Sequence, residues 1–203
     1  MKRTLFVSII VLCVCAGAEA QDAGQVGVSL GYPAAVGIIW HVTDSVAVRP
    51  DISFSHGSTD NGALSTDLVG VSAASGESSS TSLTAGVSGL LYLGTWDKLR
   101  AYVSPRYAYG RLTSNSGSTF ASDATNATHI VIGSFGAHYQ LHRRFAVFGE
   151  AGYGYSHSRT TLTSVVLQIP GLPNIPAPVS RFADIVSHRW GTSSGVGVIF
   201  YFK

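Results

Sequence analysis

Thiols, charge and long apolar runs are all scarce in this chain, and each shortage excludes something. The 2 cysteines, Cys13 and Cys15, both fall within the first twenty positions. If that segment is removed, no disulfide framework and no thiolate metal centre remain. A lipoprotein signal would need a small residue directly before the acylated cysteine, and Val14 precedes Cys15. Only 12% of residues are charged. Taking Lys2, Arg3 and Glu19 from the 13 basic and 11 acidic residues leaves 11 and 10, a balance with no footprint for nucleic acid. Beyond Ala20 no apolar run approaches the roughly 20 residues of a spanning helix. Yet 45% of the chain is hydrophobic and Gly accounts for 23 of 203 residues.

The first twenty residues have their own logic. Lys2 and Arg3 precede an apolar run from Leu5 to Ala18, which ends in Ala18-Glu19-Ala20. A basic start, an apolar centre and a small-x-small end describe a secretory signal peptide cleaved after Ala20. Residues 1–20 are therefore expected to be a signal peptide and residues 21–203 a single domain.

The remaining sequence alternates with period two. "QVGVSLGY" places Val26, Val28, Leu30 and Tyr32 on one parity and Gly27, Ser29 and Gly31 on the other. Seven further segments behave alike: "AAVGIIWHV", "SVAVRPDISFSH", "STSLTAGVSGLLYLG", "LRAYVSPRYAYGRL", "HIVIGSFGAHYQL", "FAVFGEAGYGYSH" and "SSGVGVIFYFK". Tight turns are expected near Asp44, Asp97 and Arg143. Long polar loops are expected at about 57–79, 113–128 and 159–189, the last carrying "IPGLPNIPAP". Short turns on one side and long loops on the other, joining strands of about 9–11 residues, describe a membrane barrel. The reading is all-β: an eight-stranded antiparallel up-and-down transmembrane β-barrel, preceded by a cleaved signal peptide.

Alternation alone does not say which parity is wet, but three features do. The polar parity is mostly Ser, Gly and Ala, which suits the narrow bore of an eight-stranded barrel better than an exposed sheet. Aromatics gather at the ends of the apolar rows. Trp40, Trp96, Tyr139, Phe145, Phe200 and Phe202 lie toward the turns; Tyr32, Phe54, Tyr107, Tyr109, Tyr153 and Tyr155 lie toward the loops. These make two interfacial girdles. Phe202 stands one residue before Lys203, with Phe200 two back and Gly197 five back. That ending resembles the assembly signal read by the outer-membrane insertion machinery.

A weak internal repeat aligns "VRPDISFS", "VSPRYAYG" and "VFGEAGYG" without gaps. It brings Asp51, Arg106 and Glu150 to one register on the polar parity, together with Arg49. Charges in a bore need partners, so these four are expected to form a mixed-sign lumen network, with Arg106 as the leading partner of Glu150. Pro50 and Pro105 recur within the repeat and mark bulged or irregular positions.

The combination resembles the small eight-stranded outer-membrane barrels, the OmpA transmembrane-domain and OmpX-like group, over Gln25 to Lys203. The resemblance implies Sec export, the outer membrane of a Gram-negative-type bacterium, and contact with outer-membrane lipid or lipopolysaccharide and the barrel-assembly machinery. Some such barrels are lipid A hydrolases, and His56-Gly57-Ser58 with Glu77 is the one arrangement of that type here. The seven histidines show no ligand pair at helical or finger spacing, so no metal and no cofactor are assigned. Asn126-Ala127-Thr128 fits a glycosylation sequon, without meaning in a bacterial outer membrane. The expected function is non-enzymatic, structural or surface-interactive, with an extracellular ligand reached through loops 57–79 and 159–189. The alternatives are a lipid A-modifying enzyme or a small pore. The exported protein is expected to begin at Gln21, and N-terminal sequencing that still finds Met1 would overturn the signal-peptide reading.

Overall fold

The computed structural model describes residues 23–32, 35–61, 65–66, 71–72, 76–116, 122–164 and 181–202. The signal-peptide expectation and the Pro-rich stretch lie outside them. Every regular element among the described residues is a strand: β1 (Val26–Tyr32), β2 (Ala35–Thr43), β3 (Val46–Asn61), β4 (Ser65–Thr66), β5 (Val71–Ser72), β6 (Gly76–Trp96), β7 (Leu99–Ser116), β8 (Ser122–His142), β9 (Phe145–Ser164) and β10 (Arg181–Phe202). Strands β4 and β5 pair only with each other. The other eight close in the order β1-β10-β9-β8-β7-β6-β3-β2. Every pairing is antiparallel, and the seam joins Val26 to Phe202 and Tyr32 to Val196. Closure pairs each of these eight strands with two neighbours and leaves the barrel no edge.

The parity read from the sequence is the parity of the wall. Val36, Ile38, Trp40, Val87, Phe135, Val196 and Phe200 point outward and are exposed. Their neighbours Ile39, Ser88 and Ile199 point into the bore and are buried. Along β9 the outward row runs from Phe145 to Tyr155, and along β10 from Phe200 to Trp190. Ten residues of tilted strand rise about 25 Å, the height of an apolar barrel band. Trp190, 64% exposed and stacked on Tyr153 at 5.9 Å between ring centroids, belongs to the girdle at the far end.

Ladder shifts occur between His41 and Thr43, Tyr92 and Gly94, and Gln140 and His142. Each precedes a short turn, where barrel rims commonly place bulges. The two strand prolines behave differently. Pairing of β2 with β3 lapses opposite Pro50, and pairing of β6 with β7 lapses opposite Pro105, yet the register is the same on both sides of each gap. Each proline removes a donor on one side of its strand without inserting a residue, so neither is a bulge.

Strand continues well into the expected loops. β3 and β6 stay in register up to Asn61 and Gly76, β7 and β8 up to Ser116 and Ser122, and β9 and β10 up to Ser164 and Arg181. Polar, Ser- and Thr-rich chain continues a ladder as readily as apolar chain does, because the backbone supplies the bonds. Alternation fades there because both faces meet water, so the period that marks the strands ends before the strands do. Strands β6 and β8 reach 21 residues and β10 reaches 22, against 7 for β1 and 9 for β2. The rim is therefore a tall wall on one side and low at β1–β2. Unboiled, detergent-folded protein is expected to migrate differently from boiled protein on a gel. Identical mobility would contradict a closed barrel.

Candidate functional site

The bore fills in two layers. Near the short turns, seven of the barrel strands send large or apolar buried side chains inward: Ile39 and His41 from β2, Ala47 from β3, Leu90 and Tyr92 from β6, Tyr102 from β7, His138 from β8, Ala146 from β9, Ile199 and Tyr201 from β10, with the small Ser29 of β1 opposite Ile199. Strand β1 also contributes room, since a Cβ on Gly27 would stand 2.9 Å from the Tyr201 ring. Tyr92 is the hub. His41 stacks on it at 5.6 Å, Tyr102 meets it edge-on at 5.7 Å, and the Arg100 guanidinium lies 4.1 Å from its centroid. Its hydroxyl stands 3.3 Å from His138 Nδ1. The sequence reading missed this aromatic layer. It weighed the small residues around the charges and not the inward parity nearer the turns, where Tyr92, Tyr102 and Tyr201 were open to view.

Above the plug lie the four predicted charges. All four face the bore, but their pairing differs from the expectation. Glu150 Oε1 accepts from Arg49 Nη2 at 2.6 Å and from the Tyr102 hydroxyl at 2.8 Å. Arg106 pairs instead with Asp51, through Nε at 3.2 Å and Nη2. Arg49 and Arg106 flank the buried Ser88 on β6 as its lateral neighbours. Each guanidinium reaches a different carboxylate, which separates the two like charges. Arg49 also lies over Phe148, 4.9 Å from its centroid. Parity shows that these side chains enter the bore. Which carboxylate each one meets depends on reach across the barrel, which no local pattern encodes.

Both lumen carboxylates stand between two glycines. Asp51 is opposite Gly37 on β2 and Gly86 on β6, and Glu150 is opposite Gly136 on β8 and Gly195 on β10. A Cβ on Gly86 would stand 2.9 Å from Arg106 Nη2, and one on Gly136 would stand 2.6 Å from the Tyr102 ring. Gly86 and Gly136 thus clear the space through which Arg106 and Tyr102 reach the carboxylates. Gly197 plays the same part for Phe148, whose ring would lie 2.6 Å from an added Cβ. Of the three residues read as an assembly signal, Gly197 thus faces the bore, while Phe200 and Phe202 face outward and are exposed. Above the network a cavity of about 210 Å³ opens toward the long-strand end, lined by Ser29, Ser53, Thr84 and Ser134 with the four charges.

The hydrolase arrangement does not assemble. His56 Nδ1 is 3.0 Å from Thr81 Oγ1, and Glu77 lies opposite Asp60. Four residues of strand, about 13 Å, separate Glu77 from that position. Far out on the wall, Asp184 receives bonds from Arg159 at 2.5 Å and Thr161 at 2.9 Å. The Arg159 hydrogen bond first, then Thr161, holds its carboxyl below the ordinary range. The bridge is therefore present at neutral pH and lost as pH falls through that lowered value. It is exposed, so its share of stability is small.

No protein-family model matches the sequence, and no curated protein does. Among solved structures, the chain is similar to the crystal structure of a major outer membrane protein from Thermus thermophilus. The TM-score is 0.56 at 10% identity, over 89% of this chain and 100% of that one. The fold is that of an outer-membrane β-barrel. CarO and CarO2 of Acinetobacter baumannii align with a TM-score of 0.40 each, at 11% and 14% identity, over 91% and 88% of this chain and 100% and 97% of theirs.

Removing one member of the network is expected to cost more than removing the pair. Arg49→Met strands a buried carboxylate and should lower stability by about 3–5 kcal/mol, most of it regained in Arg49→Met with Glu150→Gln. Gly136→Val, which displaces the buried Tyr102 ring, should cost about 1–3 kcal/mol. Urea midpoints of the detergent-folded protein measure all three.

Proposed function

We propose that the protein is a non-enzymatic outer-membrane barrel whose filled bore serves stability and whose tall wall serves contact at the cell surface. The observation that carries this reading is the plug. Its side chains come from seven strands and meet across the bore, and Tyr102 ties it to the paired charges above. A bore packed in this way holds the wall rigid and leaves no room for a solute path at the turn end. The wall above the far girdle supplies the contact surface. Strand β10 continues nine residues beyond Trp190 to Arg181, on the order of 30 Å of chain.

Outer-leaflet lipid, including lipopolysaccharide, is the partner of the outward apolar band, with Trp190, Tyr153 and Tyr155 at its upper edge. The insertion machinery is the partner during assembly, engaged through the outward aromatics Phe200 and Phe202 of the final strand. An extracellular ligand would meet the segments 57–79 and 159–189, whose described strand residues continue the wall beyond the far girdle. The separation of Glu77 from His56 leaves the hydrolase alternative without a carboxylate at its histidine. In planar bilayers the wild-type protein is expected to show no sustained open current at moderate voltage. Sustained ohmic conductance would overturn the filled-bore reading in favour of a pore.

A further inference from the structure

Three histidines that lie far apart in sequence form one lateral row on the outside of the barrel. His129 on β8 is directly opposite His157 on β9, and His157 is directly opposite His188 on β10. All three are on the outward parity, two residues beyond the girdle positions Val131, Tyr155 and Trp190. That places them where the wall leaves the apolar band, at headgroup height. The sequence gives no hint of the row, since His157 and His188 are 31 residues apart and only the register of two ladders joins them.

The geometry of one pair is specific. The Nδ1 atoms of His157 and His188 are 3.3 Å apart, with ring centroids 4.8 Å apart. Two imidazole nitrogens at that distance cannot both carry a proton directed at the other. At least one lone pair must face the gap. Zinc–imidazole bonds of about 2.0–2.1 Å in tetrahedral array place two ligand nitrogens about 3.4 Å apart. The strands therefore already hold the bite that such a cation needs. The Tyr155 hydroxyl is 2.5 Å from His188 Nδ1, and Tyr107 holds the flanking His129 at 2.8 Å through its Nδ1. The His129 ring lies 6.4 Å from that of His157. The nearest charged pair further along the wall, Arg159 with Asp184, is internally satisfied.

We propose that His157 and His188 form a two-imidazole site for a borderline divalent transition cation, with zinc the best geometric fit. Among the described residues no group of three or more His, Cys, Asp or Glu side chains forms a metal cluster. The remaining positions therefore fall to water, and the Tyr155 hydroxyl serves as a hydrogen-bonding neighbour of His188. Bound there, the cation cross-links β9 to β10 at the point where both leave the membrane, and it steadies the two longest adjoining walls. The site rests on the register of the two ladders and the approach of the two rings, and is independent of what the bore does.

The test uses the full mature chain folded in detergent micelles, with folding checked by gel mobility, and titrates ZnCl2 alone by calorimetry. The wild type is expected to bind one zinc per chain. His157→Ala and His188→Ala should each weaken binding by at least roughly tenfold, the lower bound for losing even a supporting group of a metal site. His142→Ala, at the opposite end of β8, should leave it unchanged. His157→Asn and His188→Asn repeat the test with a polar side chain retained, should either alanine variant fail to fold. An absence of wild-type binding, or row variants that titrate like the wild type, would overturn the proposal.

Discussion

Closure of the backbone ladder is the constraint on which the rest depends. Once β1 pairs with β10, from Val26 opposite Phe202 to Tyr32 opposite Val196, every strand of the wall has a neighbour on both sides. A hydrocarbon environment offers no other partner for those peptide groups. Eight strands then define a bore only wide enough for side chains to fill. Everything inward-facing must therefore fit in that volume and satisfy its polarity there.

The two layers of the bore answer that demand differently. Near the turns, tyrosines and aliphatic residues fill space, and the polar tips of Tyr92 and Tyr102 reach His138 and Glu150. Higher up, each carboxylate stands between glycines on both adjacent strands, and one glycine of each pair leaves room for a guanidinium or a phenol to arrive. Gly86 beside Asp51 and Gly136 beside Glu150 are thus part of the electrostatics, because an added Cβ would block the approach of the compensating donor. Tyr102 belongs to both layers and couples packing below to charge pairing above.

Outside the apolar band the demands on the wall change. Both faces meet water, alternation relaxes, and the ladders from β3 to β10 continue through Ser- and Thr-rich chain. That freedom is what allows histidines on three strands to line up and a rim to rise on one side only. A barrel of this kind can vary its surface chemistry on the extensions without disturbing the membrane-spanning part, because the two share backbone bonds but not packing.

Period-two alternation, the turn residues around Asp44, Asp97 and Arg143, and the aromatic row ends made the eight strands and their inward and outward faces legible from the chain. The inward orientation of Arg49, Asp51, Arg106 and Glu150 was legible for the same reason: side-chain direction in a strand is a local property of the backbone. Alternation could not mark where β9 and β10 end, since it reports the contrast between two environments and that contrast stops at the membrane surface. Nor could it pair Glu150 with Arg49 rather than Arg106, or set His157 beside His188. Those depend on strand register and on distance across a closed ring. Amino-acid order alone determined which faces are oily and which are polar. The tertiary structure decided which polar groups meet, because contacts between residues about a hundred positions apart exist only once the cylinder has closed.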